Sequence, residues 1–314
     1  MNKVFTFCNT AFIALIVAIV LGVADASASE LSSRYFHTGD GKISITGPGG
    51  SFSGLYRKAN GTPIEAAMKA INRAFGATYG DPATTVSNRL IEFLDFLEDH
   101  FHQGARITIV SGYRSPTYNT KLRENGKLAA KASLHQYGMA ADLKISGVSS
   151  KEIWNFIRDL KFGGVGFYHG GLVHVDVGPA RFWDERTSGV GTDISDDNKL
   201  IDIVADRDIY LSGEEIALRL TRMTAFPIGI SPSFTLEVKT PDGGWKKRET
   251  FEPLPSVPDS HACPKFSNIA QMANFKWRLP TNATPGSYRV RATFCESPWP
   301  DMPESITTAE FEVR

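Results

Sequence analysis

The amino-acid sequence predicts two structural units in tandem: an α+β domain with a small, mainly antiparallel sheet and packed helices over residues 30–184, then an all-β sandwich over residues 198–314. Three observations carry this. The chain of 314 residues exceeds what one core usually holds, and 42% hydrophobic against 22% charged residues marks it as globular. Before Trp183, some stretches repeat apolar residues at helical spacing and others alternate, with too little regular helix between strands for a doubly wound sheet. Beyond Asp197, short alternating runs follow one another between turn signals.

Taken in order, residues 1–28 read as a removable secretion signal. Lys3 gives a basic start, residues 11–23 are almost wholly apolar, and Ala26-Ser27-Ala28 offers the small-x-small cleavage pattern. The apolar run falls short of the about 20 residues of a comfortable membrane span, so no stable membrane anchor is expected after cleavage; an uncleaved N-terminal anchor is the competing reading. Residues 30–61, rich in glycine and serine, read as an irregular arm with a brief strand-like piece at 42–45. Pro63 opens a helix over 64–75, where Ala67, Ile71 and Phe75 share a face. Residues 88–101 form a second helix, with Leu90, Ile91, Leu94, Leu97 and Phe101 opposite a wet face of Glu92, Asp95, Glu98 and Asp99. Residues 106–110, 139–145 and 172–177 are strands, and 152–160 is a helix broken by Gly163-Gly164. The polar stretch 185–197 reads as a linker. Candidate strands then fall at 199–207, 215–221, 234–238, 275–279, 288–294 and 309–313.

Lysine plus arginine equals aspartate plus glutamate at 34 each, so nothing in the charge calls for nucleic acid or an anionic membrane as partner. Cys8 lies in the signal. Cys263 and Cys295 remain as an even pair in an exported chain, for which a disulfide is the natural reading and two buried thiols the alternative.

The residues that bear chemistry cluster in two stretches, Ser133-Leu134-His135-Gln136-Tyr137-Gly138-Met139-Ala140-Ala141-Asp142 and Val173-His174-Val175-Asp176-Val177. Strand alternation puts Ala140 and Asp142 on one face, and likewise His174 and Asp176, with valines behind. Gly138 permits a tight turn that could return His135 over that face. Two imidazoles and a carboxylate suit zinc, whose catalytic sites keep three protein ligands and an open fourth place. A histidine near a strand is, however, more often a hydrogen-bonded core residue, and spacing alone leaves both readings open.

The pattern Ser133-x-His135-x-x-Gly138-x-Ala140-x-Asp142, followed by His174-x-Asp176, resembles the signature of the zinc D-Ala-D-Ala carboxypeptidase and murein endopeptidase superfamily, whose fold is shared with the Hedgehog signalling domain. The resemblance extends to Ser111-Gly112-Tyr113-Arg114-Ser115-Pro116, to 163–168 and to Arg181-Phe182-Trp183, and Tyr35-Phe36-His37-Thr38-Gly39 resembles the opening of a periplasmic branch. It implies that His135, Asp142 and His174 bind Zn2+, that Arg114 steadies a substrate carboxylate or the oxyanion, and that Ser133 bonds the intermediate or orients His135. Tyr113 and Tyr137 either line the cleft or pack. Many relatives carry a carboxylate three residues before the last histidine ligand; here Gly171 stands there. Asp176 is the first substitute for the general base, with orientation of an imidazole as its other reading, and His169 is the second. The implied activity is hydrolysis of peptidoglycan stem peptides or cross-links by an exported, periplasmic or secreted enzyme. The rival is a noncatalytic module that grips peptidoglycan or a peptide. Pro285-Gly286-Ser287-Tyr288-Arg289-Val290-Arg291 and Tyr210-Leu211-Ser212-Gly213-Glu214 loosely resemble immunoglobulin-like domains, a unit suited to docking on the wall or on a protein partner.

Overall fold

The computed structural model describes residues 34–314 except 128, 189–191, 255–262, 273–274 and 297–298, so the expected secretion signal and part of the expected linker lie outside the described residues. The first unit is built on a seven-stranded sheet in the order β2-β1-β3-β4-β6-β5-β7, from Lys42–Gly47 (β1), Gly50–Leu55 (β2), Ile107–Ser111 (β3), Ala140–Ile145 (β4), Gly164–Tyr168 (β5), Leu172–Asp176 (β6) and Arg181–Asp184 (β7). Four of its pairings are antiparallel, and β1–β3 and β5–β7 are parallel.

Alternation divides the sheet chemically. Ile45, Ile107, Ile109, Leu143, Val173, Val175 and Val165 are buried with the apolar stripes of helices Glu65–Ala74, Asn88–His102 and Ser150–Leu160. Asp142, His174 and Asp176 occupy the opposite face. Each backing residue fully removed from water contributes about 1.5–3 kcal/mol, so this apolar layer is a stiff base for the polar one. Helix Pro116–Glu124, unforeseen in the sequence, starts at Ser115, whose hydroxyl accepts from the Tyr118 N–H, with Pro116 in the first turn. The expected irregular arm is instead the β1–β2 hairpin: Ile43 and Ile45 alternate inward, and the sheet's edge orders the glycine- and serine-rich strand beside them.

The second unit is β-rich. One sheet joins Asp202–Ala205, Glu215–Thr221 and Phe275–Arg278. The other runs through Trp245–Phe251, Phe234–Lys239, Gly286–Glu296, Ile228–Ile230 and Lys265–Phe266, with further short strands at its border. Phe234 and Phe275 pack ring to ring at 5.5 Å between the two sheets. Cys263 and Cys295 form the expected disulfide, with Cα atoms 5.7 Å apart. The two units meet through polar contacts. Arg89 pairs with Asp208 at 2.7 Å and Arg34 with Glu214 at 2.7 Å. Among the described residues, no helix is long and apolar enough to cross a membrane.

Candidate metal centre

One cross-strand row spans five strands: Ser111, Asp142, His174, Gly166 and Trp183 stand opposite one another in register. Residues paired this way project from the same face. The register therefore brings Asp142 and His174 together although 32 positions separate them. His135 arrives from elsewhere, on the 3-10 turn Leu134–Tyr137. Gly138 ends that turn at φ +63°, and a Cβ there would stand 2.6 Å from the Thr85 carbonyl oxygen, so only glycine lets the chain double back onto the sheet.

The three side chains converge. His135 Nε2 lies 3.2 Å from His174 Nδ1 and 3.4 Å from Asp142 Oδ1, and His174 Nδ1 lies 3.0 Å from the same oxygen. Tetrahedral zinc with bonds of about 2.0–2.1 Å holds its ligand atoms roughly 3.3 Å apart, so these edges have the size the metal requires. The outer nitrogens fix the tautomers. His135 Nδ1 faces the Gly112 carbonyl at 2.7 Å and His174 Nε2 faces Asp176 Oδ2 at 3.0 Å. Both partners only accept, so both outer nitrogens carry the proton. With both rings neutral, the inner nitrogens meet lone pair to lone pair, an arrangement that a cation between them satisfies. Burial lowers the His174 pKa, but its hydrogen bonds to Asp142 and Asp176 outweigh this and raise it. Burial drives the His135 pKa down, toward the neutral ligand form. Burial also raises Asp142, but the adjacent imidazoles outweigh it and hold the carboxyl well below its usual range.

Arg114 touches the cluster directly. Its Nη2 donates to Asp142 Oδ2 at 2.5 Å and its Nε to Ser111 Oγ at 2.9 Å, and its backbone N–H donates to the His135 carbonyl at 3.1 Å. Asp142 thus divides its oxygens, Oδ1 toward the histidines and Oδ2 to the guanidinium. Ser133 is buried at the start of the His135 turn, and its carbonyl accepts from the Gln136 N–H at 3.2 Å.

Asp176 lies behind the His174 ring, on the side away from the cluster, and is 0% exposed. It also accepts from Gly164 and Gly178 N–H groups at 3.2 and 2.9 Å, and from Arg181 at 3.1 and 2.6 Å. Burial raises its pKa, yet Arg181 and His174 reverse the effect and leave it far below the ordinary carboxylate value. Every lone pair is spoken for, so the geometry is that of an orienting group and not of a base reaching into the cluster. His169, at the β5–β6 hairpin end, is tied to Asp184 at 2.9 Å and lies outside the cluster. Tyr137 does not line a cleft: its ring is fully buried, its hydroxyl accepts from the Met223 N–H at 2.9 Å, and its carbonyl accepts from Arg219 at 2.8 Å, so the second unit clamps the His135 turn. Tyr113 is half-buried beside the row, its N–H bonded to the Phe75 carbonyl at 2.8 Å.

Two residues near the cluster had no role assigned from sequence. Tyr168, on the face of Gly166 and His174, sits beside the Asp142 carboxylate; burial first, then that charge, drives its pKa far up and keeps the hydroxyl protonated. Trp183 forms a wall 5.0 Å from the His174 ring, and a Cβ at Gly166 would meet its indole at 2.5 Å. They could be found by carrying the His174 register one strand outward for Tyr168 and two for Trp183.

Fold and cluster together define an α+β scaffold with a candidate three-ligand metal site on the polar face of its sheet. Residues 34–183 match the family profile described as Peptidoglycan L,D-endopeptidase MepK, a match that supports the resemblance to the zinc D-Ala-D-Ala carboxypeptidase and murein endopeptidase superfamily. The chain is 31% identical over 121 residues to the Peptidoglycan L,D-endopeptidase MepK of Escherichia coli strain K12, an alignment covering 38% of this chain and 66% of that protein. It is 38% identical over 82 residues to the Probable peptidoglycan L,D-endopeptidase MepK of Haemophilus influenzae, covering 26% of this chain and 44% of the relative. The matches thus span just under two thirds of the first relative's length and less than half of the second's. Among solved structures, Spo0M, the sporulation control protein of Bacillus subtilis, aligns at 12% identity with a TM-score of 0.22, over 36% of this chain and 48% of that one, too distant to bear on the fold.

Proposed function

We propose that this protein is an exported zinc metallopeptidase that cleaves peptide cross-links in peptidoglycan, with L,D bonds as its substrate class. The observation that carries the proposal is the convergence of His135 Nε2, Asp142 Oδ1 and His174 Nδ1 at 3.0–3.4 Å with both imidazoles proton-fixed from outside. The family match and the relatives' descriptions support the choice of bond.

In this reading His135, Asp142 and His174 hold the zinc, and bound zinc supplies Lewis acidity toward the scissile carbonyl and brings the pKa of water down to about 7. Asp176 keeps the His174 proton on Nε2 and fixes the ring. Arg114 restrains Asp142 through Oδ2. Its permanent charge at the edge of the cluster also attracts a substrate carboxylate or a developing oxyanion. Tyr168, held protonated, is a second donor at the same place. Trp183 offers an apolar wall to the stem peptide.

One observation favours the rival, noncatalytic reading: Asp176 and His169, the two expected bases, are both engaged elsewhere. Incubating the purified protein with muropeptide dimers and following products by chromatography separates the two. The proposal expects cleavage of L,D-linked dimers, loss with chelator, recovery with zinc, and none with His174→Ala. Zinc bound at one per chain with no product from any muropeptide would establish the binding module instead.

A further inference from the structure

The Tyr35–Gly39 stretch takes no part in the His–Asp–His cluster. It wraps the acid face of helix Asn88–His102, where Glu92, Asp95 and Asp99 follow at i, i+3 and i+7. The hydroxyl of Thr38 bonds Glu92, and Arg57 neutralises that residue at 3.1 Å. Asp95 Oδ2 accepts from the Gly41 N–H at 2.9 Å and the Tyr56 hydroxyl at 2.8 Å. Asp99 Oδ2 accepts from the Asp40 N–H at 2.6 Å. The Asp40 carboxylate comes down beside them, its own donors being the Lys42 N–H at 2.8 Å and, at 3.3 Å each, Lys42 Nζ and Gln103 Nε2.

One oxygen from each of Asp40, Asp95 and Asp99 lies within 4.8 Å of the others. A second, independent feature points to what belongs there. Asp95 is 0% exposed and its Oδ1 has no hydrogen-bond partner. That oxygen lies close to Asp99: the point where a Gly39 Cβ would stand is 2.5 Å from both Cγ and Oδ1 of Asp95 and 2.7 Å from Asp99 Oδ2. A carboxylate oxygen buried without a partner is expensive. Arg57 serves Glu92 and Lys42 serves Asp40, and among the described residues no cationic side chain is within ion-pair distance of Asp95 or Asp99.

We propose that Asp40, Asp95 and Asp99 form a second metal site, for a hard divalent cation with calcium foremost, that pins the Thr38–Lys42 loop to the helix. An all-oxygen donor set selects calcium, magnesium or manganese over zinc. The uneven arrangement suits calcium, which accepts irregular coordination, better than magnesium, which demands a near-ideal octahedron. The site is separate from the zinc cluster and does not depend on the peptidase reading.

The test uses the full mature protein with its zinc left in place, stripped of other cations, and titrated with calcium alone in a calorimeter. A parallel titration with terbium, a luminescent calcium substitute, reads proximity through Tyr56, whose hydroxyl sits on Asp95. The expected result is saturable binding of one calcium per chain, terbium emission excited through tyrosine, and an unfolding temperature raised by calcium. Asp99→Asn and Asp40→Asn, both at partly exposed side chains, weaken calcium at least tenfold, while His174→Ala leaves calcium affinity unchanged. The proposal is overturned if calcium, magnesium and manganese all fail to bind saturably, or if the two asparagine variants bind as tightly as wild type. A metal-free protein that Asp95→Asn makes more stable, with no cation bound by wild type, would identify a shared proton as the occupant and likewise sink it.

Discussion

Replacing Asp176 by asparagine separates an orienting role from a catalytic one. The wild-type carboxylate accepts from His174 Nε2 at 3.0 Å, from Arg181 at 2.6 and 3.1 Å, and from two backbone N–H groups. Asparagine keeps one acceptor and places an NH2 where the other oxygen stood, so either His174 Nε2–H or Arg181 then faces a donor. Arg181 is about one-third exposed and can turn to water, whereas His174 is buried and cannot. Its proton is free to move to Nδ1, the nitrogen that faces the other two ligands. Loss of such a partner typically weakens metal binding by about 10–100-fold, or about 1.4–2.7 kcal/mol. A competitive zinc titration against a chromogenic chelator near neutral pH reads this directly. The expected outcome is a Kd for zinc weakened within that range, with much of the muropeptide cleavage restored at saturating zinc. Unchanged zinc affinity together with a collapse of kcat at saturating zinc would refute the reasoning and make Asp176 the base.

Three further predictions follow from contacts around the centre. Gly166→Ala drives a methyl to within 2.5 Å of the Trp183 indole, an overpacking expected to cost about 1–3 kcal/mol in urea unfolding; an unchanged midpoint would mean the Trp183 wall moves freely. Arg219→Ala removes the donors to the Tyr137 and Ala83 carbonyls at 2.8 and 3.3 Å and should lose about 1–3 kcal/mol while weakening zinc through the His135 turn; equal zinc affinity would show that turn to be held by the first unit alone. Burial raises Asp202 to about 6, above its unfolded value, so the folded state binds its proton more tightly. Its protonation favours folding at low pH, and that contribution fades as pH rises between about 4 and 6. Asp202→Asn should flatten the stability–pH curve across that window, and an unaltered curve would contradict the assignment.

The long helices were legible because their apolar stripes are regular: residues 88–101 were expected and Asn88–His102 formed. The three strands that carry or support the candidate ligands were equally visible, since an apolar residue recurs at every second position there. Strand β2 was hidden by its glycine and serine content, and its order comes from pairing with Ile43 and Ile45 rather than from its own propensity. Strand Trp245–Phe251 was missed for the opposite reason. It is a mostly exposed edge strand with Lys246, Lys247 and Arg248 in sequence, a pattern that wards off further pairing and looks like a loop.

At the candidate centre, motif and alternation name the three converging side chains, but not their surroundings. Which face Asp176 uses was correct, yet its role turned on Arg181, Gly164 and Gly178, contacts that no local pattern encodes. Tyr137 belonged to the motif and still went to the boundary between units, because Arg219 and Met223, more than eighty positions away, claim it.

The most direct test is anomalous diffraction at the zinc edge from crystals of the mature protein. The account predicts one strong peak bonded to His135 Nε2, Asp142 Oδ1 and His174 Nδ1, each at about 2.0–2.2 Å, and its disappearance in His174→Ala. A density map without a peak among these three atoms, in crystals grown with zinc present, would contradict it.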